Sequence, residues 1–537
     1  MLKKISLLIA IALLVSSITC IFTASDSKVS AFTASNYKII KVTDANRDAI
    51  FSTPISSTTD ETYNPVDRKW NGIPHIEVTA GGRLYASWYT GGSCEPDDNN
   101  YMILAYSDDK GKTWVDPFII VDTDKDEIRA FDPFLHINAS GELVWYWWRG
   151  NNWSMVIPNP DESPHKITWN TPTITGPENI GAYIQEPVRL SDNSLAVCRQ
   201  NGYMGKDLDF LVSTDDGKTW KKRGSVISKA SQDSSEAQVV ELADGTLWMF
   251  SRVPGGAEGG IQRWVSYDTG WSWSEPEYNL GAPFIGPGSR FAVRKLASGN
   301  IIFVSNNSTS ARTNLTVWLS EDDGKTWPYS MLIDSRSSVS YPELDEDSDG
   351  NIYLIYDKGR QIEKEIRLSI FTEQDIKDGA ITSKNGVSRA VVAKDNSYSD
   401  ITWADTGVSG NIIELPVGTT KEQVLAMLKT TVSLVNEKGE EASVTGTWKV
   451  IGYQADQVGV YEFYFKYSIH DLPEKTNDNR DILRIKVKLV NNNSSNNPNE
   501  NGCKSFMNVI YGGIAVIVIA VGVTVFLILR KRKTLTK

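Results

Sequence analysis

An eight-residue pattern, S-x-D-x-G-x-x-W, occurs four times in this chain at regular distances. The copies begin at Ser107, Ser213, Ser266 and Ser320, so successive copies lie 106, 53 and 54 residues apart. In each copy Ser and Asp can bond the backbone of a turn, Gly can adopt a positive φ, and Trp can pack below the turn. Such a period indicates repeated structural units, and it predicts two units without a clear pattern, near residues 160 and 373.

The segment from 37 to 394 alternates short β-rich runs with turns rich in Gly, Asp and Asn, and helical periodicity is hard to find in it. A period of about 53 residues is long enough for a four-stranded sheet with its connections. Six such units fill the segment. The sequence therefore predicts an all-β, six-bladed β-propeller over residues 37–394.

The composition changes after the propeller segment. Residues 407–490 contain several alternating strands and a single helical segment, 421–428. Fewer than 100 residues with this pattern are typical of a β-sandwich. We expect a small Ig-like β-sandwich here.

Both ends of the chain predict a place at the cell surface. Residues 1–34 have the charged start and short apolar run of a secretory signal peptide. Residues 509–529 are uncharged and long enough to span a bilayer as a helix, and the basic residues of 530–537 follow directly. Because basic clusters stay in the cytoplasm, we expect a single-pass protein with an extracellular body and a cytoplasmic C-terminus. The polar segment 491–505 is expected to be a disordered linker.

Composition excludes several classes of function. The formal net charge of −11 provides no basic face for a nucleic acid. The four cysteines and four histidines lack the spacing of a zinc site or a disulfide framework, so neither a metal nor another cofactor is expected. The many aromatic residues, 17 Trp and 21 Tyr, suit both β-structure and carbohydrate surfaces. We expect a monomer.

The repeated pattern resembles the Asp-box of sialidases, and residues 60–370 resemble the catalytic domain of a bacterial exo-sialidase. In that family the boxes lie on the outer rim, and catalytic residues lie between them. The segment 235–242, followed by Arg252, resembles the family motif E-x-Q-V-V-E-L … R. The resemblance implies that Glu236 is the base that activates the nucleophile and that Arg252 binds the substrate carboxylate. Tyr341 matches the nucleophilic tyrosine.

Further residues follow from the same resemblance. Arg312 stands where the family has another carboxylate-binding arginine, and Asp357 replaces a glutamate that braces an arginine. Asp132 resembles an element near the glycone pocket, and Arg290 is a further pocket candidate. The acid/base should lie within residues 95–98, with Asp97 favoured and Glu95 as the alternative.

One position departs from the family. Sialidases begin with R-I-P, whose arginine completes a carboxylate-binding triad, whereas this chain has Gly72-Ile73-Pro74. Arg68 is a candidate replacement from four residues upstream, and Arg129 and Arg189 are others. Without a replacement the pocket has two arginines, and its substrate is another acidic or a neutral terminal sugar.

The resemblance implies a cell-surface, retaining exo-sialidase-like hydrolase acting on extracellular glycans. Its transition state is a cation that already carries a carboxylate, so a neutral tyrosine paired with a glutamate is a better nucleophile than a carboxylate. Planar guanidinium groups suit the substrate carboxylate. Two alternatives remain: a non-catalytic glycan-binding propeller that acts as an adhesin, and an exo-glycosidase of the same fold with another sugar.

Overall fold

The computed structural model describes the chain from 68 to 491 together with a few earlier residues. The described residues are 38–42, 49–51, 63, 65 and 68–491, except for 124–128, 150, 165, 171, 175–184, 201–206, 229–234, 396–400, 406–407, 409–411, 437–440, 451 and 468–483. The predicted signal peptide, membrane helix and basic tail, and the predicted linker beyond residue 491, lie outside them. Within the described part of the chain, no helix has the length and apolarity needed to cross a bilayer.

Six successive sheets make up the first 25 strands. Sheet 1 has the order β2-β1-β6-β5-β4-β3 and contains β1 (Lys38–Val42), β2 (Ala49–Phe51), β3 (Asn71–Val78), β4 (Leu84–Thr90), β5 (Tyr101–Ser107) and β6 (Val115–Thr123). Sheet 2 contains β7 (Phe131–Ile137), β8 (Leu143–Trp148), β9 (Asn152–Ile157) and β10 (Thr173–Ile174). Sheet 3 contains β11 (Val188–Arg189), β12 (Leu195–Gln200), β13 (Asp207–Ser213) and β14 (Lys221–Ile227).

In the other three sheets every pair of neighbouring strands is antiparallel. Sheet 4 contains β15 (Ser235–Glu241), β16 (Leu247–Arg252) and β17 (Ile261–Ser266). Sheet 5 contains β18 (Ala292–Lys295), β19 (Ile301–Asn306), β20 (Leu315–Ser320) and β21 (Tyr329–Asp334). Sheet 6 contains β22 (Val339–Glu346), β23 (Ile352–Lys358), β24 (Glu365–Phe371) and β25 (Val387–Ala393).

Six buried apolar clusters join these sheets into a ring. Each cluster joins two neighbouring sheets, and one of them joins sheet 6 to sheet 1. The cluster between sheets 1 and 2 also includes Tyr341 of sheet 6. Side chains also cross between sheets, as where Gln185 accepts from the backbone of Val239 (2.8 Å) and Gln238 accepts from that of Val293 (2.9 Å). The region is all-β and propeller-like, as the sequence predicts.

The repeated turns all follow the third strand of a sheet, counted outward from the innermost strand. Each Ser hydroxyl accepts from the backbone N–H of the Gly four residues later, at 2.8 to 2.9 Å. The two units without the pattern have the same strand order. The connection from β9 to β10 covers the region near 160, and a short helix, α1 (Glu373–Asp378), lies between β24 and β25. The predicted sixth unit is sheet 6, and in place of a repeated turn near residue 373 Thr372 and Asp375 form the capping box of α1.

The C-terminal unit has its own apolar core. It contains β26 (Ile401–Asp405), β27 (Ile412–Pro416), α2 (Lys421–Met427), β28 (Thr431–Asn436), β29 (Glu441–Val450), β30 (Gly459–Tyr467) and β31 (Arg484–Val490). The long strand β29 pairs with β28 through residues 441–445 and with β30 through 446–450. The helix lies at the predicted position, and the Ig-like class of the unit remains a prediction.

Candidate active site

Three of the predicted residues are in direct contact. Tyr341, on β22, donates its hydroxyl to Glu236 Oε1 at 2.5 Å, although 105 residues separate the two in sequence. Arg252, on β16, donates from Nη1 to Glu236 Oε2 (2.5 Å) and to the Tyr341 hydroxyl oxygen (2.7 Å). A phenol, a carboxylate and a guanidinium thus form a closed hydrogen-bonded group between sheets 4 and 6.

A shared backbone distortion produces this group. The innermost strands of sheets 1, 2, 4 and 6 each carry a bulge with one extra residue relative to the next strand. Each bulge contains a residue with positive φ: Ile73 (57°), Asp132 (51°), Glu236 (53°) and Tyr341 (54°). For non-glycine residues such a conformation costs about 1–3 kcal/mol, and it is usually retained at functional sites. Three of these four equivalent positions carry a titratable side chain.

The electrostatics keep the phenol neutral and the carboxylate charged. Burial alone would raise the pKa of Glu236, but the charges of Arg252 and Arg290 and the hydrogen bond from Tyr341 outweigh it and lower this pKa. Burial and the neighbouring Glu236 raise the pKa of Tyr341 to about 12, against the opposing effect of nearby arginines. Glu236 is therefore a charged acceptor of the hydrogen bond from the neutral phenol.

Three more guanidinium groups face the Tyr341 ring. The Cζ atom of Arg360 lies 4.2 Å from the ring centroid, and those of Arg290 and Arg312 each lie 5.2 Å away. A cavity of about 570 Å³ opens beside them. Its lining includes Trp70, Glu95, Arg312, Ser340, Arg360 and Ile362. This density of positive charge suits an anionic group on a ligand.

Arg360 occupies the space beside Gly72, the position where the R-I-P pattern of sialidases has an arginine. A Cβ atom on Gly72 would lie 2.9 Å from Arg360 Cδ and 2.8 Å from the Trp70 ring. Asp357 accepts from Arg360 Nε at 2.9 Å, and Glu95 accepts from Arg360 Nη1 at 2.8 Å. Sequence reasoning missed Arg360; its signal was a cationic residue three positions after the predicted bracing residue, Asp357.

The other candidate replacements do not take that position. Arg68 is 4% exposed, and both of its terminal nitrogens donate to Asp116 at 2.8 Å. It is not part of the cavity lining, and its role as a substrate-binding residue remains a prediction. Arg189 bonds Asp216 in the region of the repeated turns. Arg129 lies 3.6 Å from the centroid of the Phe131 ring.

The two acid/base candidates have different surroundings. Asp97 accepts hydrogen bonds from the backbone N–H groups of Ser93 and Asn99, which lower its pKa to about 2 and occupy its oxygens within its own loop. Glu95 lines the cavity and accepts from the Tyr89 hydroxyl and from Arg360. The geometry favours Glu95, whereas the sequence favoured Asp97.

Asp132 and Asp357 each interact with residues of this site. Burial, together with the charges of Glu95 and Glu236, raises the pKa of Asp132 to about 7. Asp357 accepts from the backbone N–H of Ile73 (2.9 Å) and from Arg360 Nε (2.9 Å). It therefore holds the Arg360 side chain next to the β3 bulge.

One group of side chains has the composition of a metal site. The ligand atoms of Glu77, His136 and Glu186 lie within 4.8 Å of one another and are buried. Arg294 donates to both oxygens of Glu186, at 2.9 and 3.1 Å, and so already compensates its charge. This polar group is separate from the Tyr341 cavity.

Fold and site together define a propeller-like all-β protein with a cation-rich pocket around a tyrosine–glutamate pair. The sequence profile of the BNR repeat-like domain matches residues 82–354, just over half of the chain, and the chain belongs to this family. The prediction that the chain is a divergent member of the Asp-box (BNR repeat) superfamily is confirmed.

Curated relatives of the chain are sialidases. It is 24% identical over 331 residues to a sialidase of Bacteroides fragilis (strain YCH46), and the aligned region covers 53% of this chain and 59% of the relative. It is 27% identical over 277 residues to an anhydrosialidase of Macrobdella decora, which covers 48% of this chain and 30% of the relative. The match thus spans less than two thirds of either relative. Among solved structures, Hadza microbial sialidase Hz136 superposes with a TM-score of 0.48 at 18% identity, over 57% of this chain and 66% of that one.

Proposed function

We propose that this protein is a retaining exo-sialidase-like glycoside hydrolase that removes terminal sialic acid from extracellular glycans. The observation that carries the proposal is the hydrogen-bonded group of Tyr341, Glu236 and Arg252 beside a cavity lined with arginines. Two curated relatives named for sialidase activity support it.

In the first step, the Tyr341 oxygen attacks the anomeric carbon as its proton passes to Glu236. The glycosidic C–O bond breaks, and an acid protonates the leaving oxygen. In the second step, the same acid, now a carboxylate, takes a proton from water, and the water oxygen displaces the tyrosine. Glu236 then returns the proton to the phenol, so that the enzyme is regenerated and the anomeric configuration is retained.

We assign the acid/base role to Glu95. Arg360 Nη1 donates to Glu95 Oε2 at 2.8 Å. A substrate carboxylate that binds Arg360 competes for the same guanidinium. Binding of the acidic sugar would then free Glu95 to carry the proton that the leaving group needs.

Arg252, Arg312 and Arg360 would bind the sugar carboxylate. Each is positioned by contacts with Tyr341 or its neighbours, so the anionic group would lie next to the nucleophile. Arg290 adds positive charge, and Asp132, which is partly exposed and whose pKa is raised to about 7, would donate to a sugar hydroxyl when it is protonated.

The setting is part of the proposal and rests on the sequence. A signal peptide at 1–34 and an anchor at 509–529 would present the catalytic region outside the cell as a monomer, with the 407–490 unit between it and the linker. Protease accessibility on intact cells tests this placement.

The activity test uses the full-length protein and a panel of fluorogenic glycosides with acidic and neutral sugars. We expect hydrolysis of the sialoside, with the α-anomer of sialic acid as the first product seen by NMR. Tyr341→Phe should lower kcat by about 10³-fold or more, since it removes the attacking oxygen. Tyr329→Phe, outside the cavity lining, is the matched control.

The panel also separates the alternatives. Hydrolysis of a neutral glycoside alone would identify another exo-glycosidase. Glycan binding without hydrolysis of any member would identify an adhesin, and a fully active Tyr341→Phe variant would exclude the proposed nucleophile.

A further inference from the structure

The turn at Ser266 differs from its three counterparts in two side chains. The second and sixth positions of the repeated pattern are Asp108 and Lys112, Thr214 and Lys218, Tyr267 and Trp271, and Glu321 and Lys325. Three turns thus carry polar side chains at both positions, and only residues 266–273, the aromatic turn, carry two aromatic rings. Tyr267 is 83% exposed and Trp271 is 66% exposed.

The aromatic rings are not required by the turn itself. Ser266 Oγ accepts from the backbone N–H of Gly270 at 2.8 Å, and Asp268 accepts from that of Ser272 at 2.8 Å. The other turns make the same bonds with polar residues at the two variable positions. Since large exposed rings have no folding role here, their exposure indicates a binding surface.

A cationic strand lies against the same turn. The Cζ atom of Arg223, on β14 of sheet 3, lies 5.8 Å from the centroid of the Trp271 ring, and its Nη1 donates to Thr269 O at 3.1 Å. Lys221, on the same strand, is exposed. The ring of Trp271 is therefore next to a guanidinium group that the turn holds in place.

None of these residues lines the cavity beside Tyr341. The aromatic turn follows β17, the third strand of sheet 4. This sheet has three strands, and beyond β17 a single β-bridge pairs Arg263 with Glu277. The surface is thus separate from the candidate active site.

We propose that the aromatic turn, together with Arg223, is a second glycan-binding site that takes an acidic oligosaccharide. The C–H faces of sugar rings pack on flat aromatic rings, and a guanidinium bonds a sugar carboxylate. Two rings on one turn provide too little area for a stable protein interface, which buries about 1,200–2,000 Å². Arg223, whose Nη1 also lies 3.9 Å from Asp192 Oδ2, supplies the cationic group that an acidic sugar would bind.

The identity of the sugar rests on the proposed function, since the same glycans would carry the substrate. A second site would hold a polymeric substrate near the cavity and raise its effective concentration, without affecting a small monovalent substrate. The two sites therefore predict different kinetics for the two kinds of substrate.

The experiment compares wild type with the double variant Tyr267→Glu/Trp271→Lys in the full-length protein. These are the residues that the turn at Ser320 carries at the same positions, so the turn should fold normally. We expect unchanged kcat/KM on a fluorogenic sialoside and about a tenfold lower kcat/KM on sialylated mucin. Retardation in affinity electrophoresis through sialylated mucin should also be lost.

Glu321→Ala/Lys325→Ala is the matched control, and it should behave as wild type. Equal mucin hydrolysis and equal retardation for wild type and the double variant would overturn the second site. Retardation by desialylated mucin or by anionic lipid vesicles in place of sialylated mucin would overturn the acidic-glycan assignment. If wild type hydrolyses neither substrate, the proposed function fails, but loss of retardation in the double variant still supports the second site.

Discussion

Gly72 and Arg360 share one space beside Tyr341. A side chain on residue 72 would begin within 3 Å of the Arg360 side chain, which reaches this place from the connection between β23 and β24. Asp357 bonds both the backbone of Ile73 and the Arg360 guanidinium, each at 2.9 Å. Gly72 therefore leaves room for the Arg360 side chain, which comes from the connection between β23 and β24.

A reciprocal exchange tests this relationship. Arg360→Gly should lower kcat/KM for a sialoside about 10- to 100-fold, because a charge-assisted contact worth about 1.5–3 kcal/mol is lost. Gly72→Arg alone should also lower it, since the two side chains collide. The double variant should recover part of the loss, because one guanidinium again has the space. Steady-state kinetics on one fluorogenic sialoside measures all three.

Arg189→Gly is the control for loss of an arginine, since this residue bonds Asp216 away from the cavity. Its kinetics should match wild type. A double variant no better than the worse single variant would contradict a shared space.

Glu95 and Asp97 should respond differently to loss of charge. Glu95→Gln should lower kcat for a substrate with a poor leaving group by about 10²–10³-fold, because protonation of the leaving oxygen is lost. The loss should be smaller for an activated aryl leaving group, which needs little protonation. Asp97→Asn should leave kcat within about twofold, because this carboxylate is held by its own loop. A larger effect at Asp97 than at Glu95 would reverse the assignment.

The repeat was predictable because its turns hold a fixed place in every sheet. Even where the pattern is absent, the spacing from Ser107 and Ser320 locates the connections from β9 to β10 and from β24 to β25. Local chemistry decided the form of each connection, which is why Thr372 starts a helix at the second of them. A period predicts where strands lie, and capping residues predict what joins them.

The pair of Tyr341 and Glu236 was predictable from a motif, whereas its geometry was not. The bulges at Ile73, Asp132 and Tyr341 each precede a proline, which lacks the N–H that a regular ladder needs and so favours a bulge. Arg360 has a weaker signal, a cationic residue three positions after Asp357. Its role depends on where a long side chain ends in space, and sequence spacing contains no information on that.

The turn at Ser320 should matter for stability and not for catalysis. Asp322 accepts from the backbone N–H of Thr326 (2.8 Å) and from its hydroxyl (2.6 Å). Asp322→Ala should lower the free energy of unfolding by about 1 kcal/mol, since it removes exposed hydrogen bonds. Denaturant unfolding should shift while kcat/KM for a small sialoside remains unchanged. A fall in kcat/KM with unchanged stability would place this turn in the catalytic machinery.

Asp132 should make the protein less stable as the pH rises. Burial and the charges of Glu95 and Glu236 raise the pKa of its carboxyl in the folded state to about 7, whereas the unfolded value is about 3.9. The stabilisation is therefore complete below about pH 4 and is lost as the pH rises through 7. Between pH 5 and 8, wild type should lose about 2–3 kcal/mol more stability than Asp132→Asn in chemical denaturation. Asp97 is the matched control, since its pKa is lowered to about 2 and it stays charged throughout this range, so Asp97→Asn should follow the wild-type pH dependence. An Asp132→Asn curve parallel to wild type would show that this carboxyl is already ionised at pH 5.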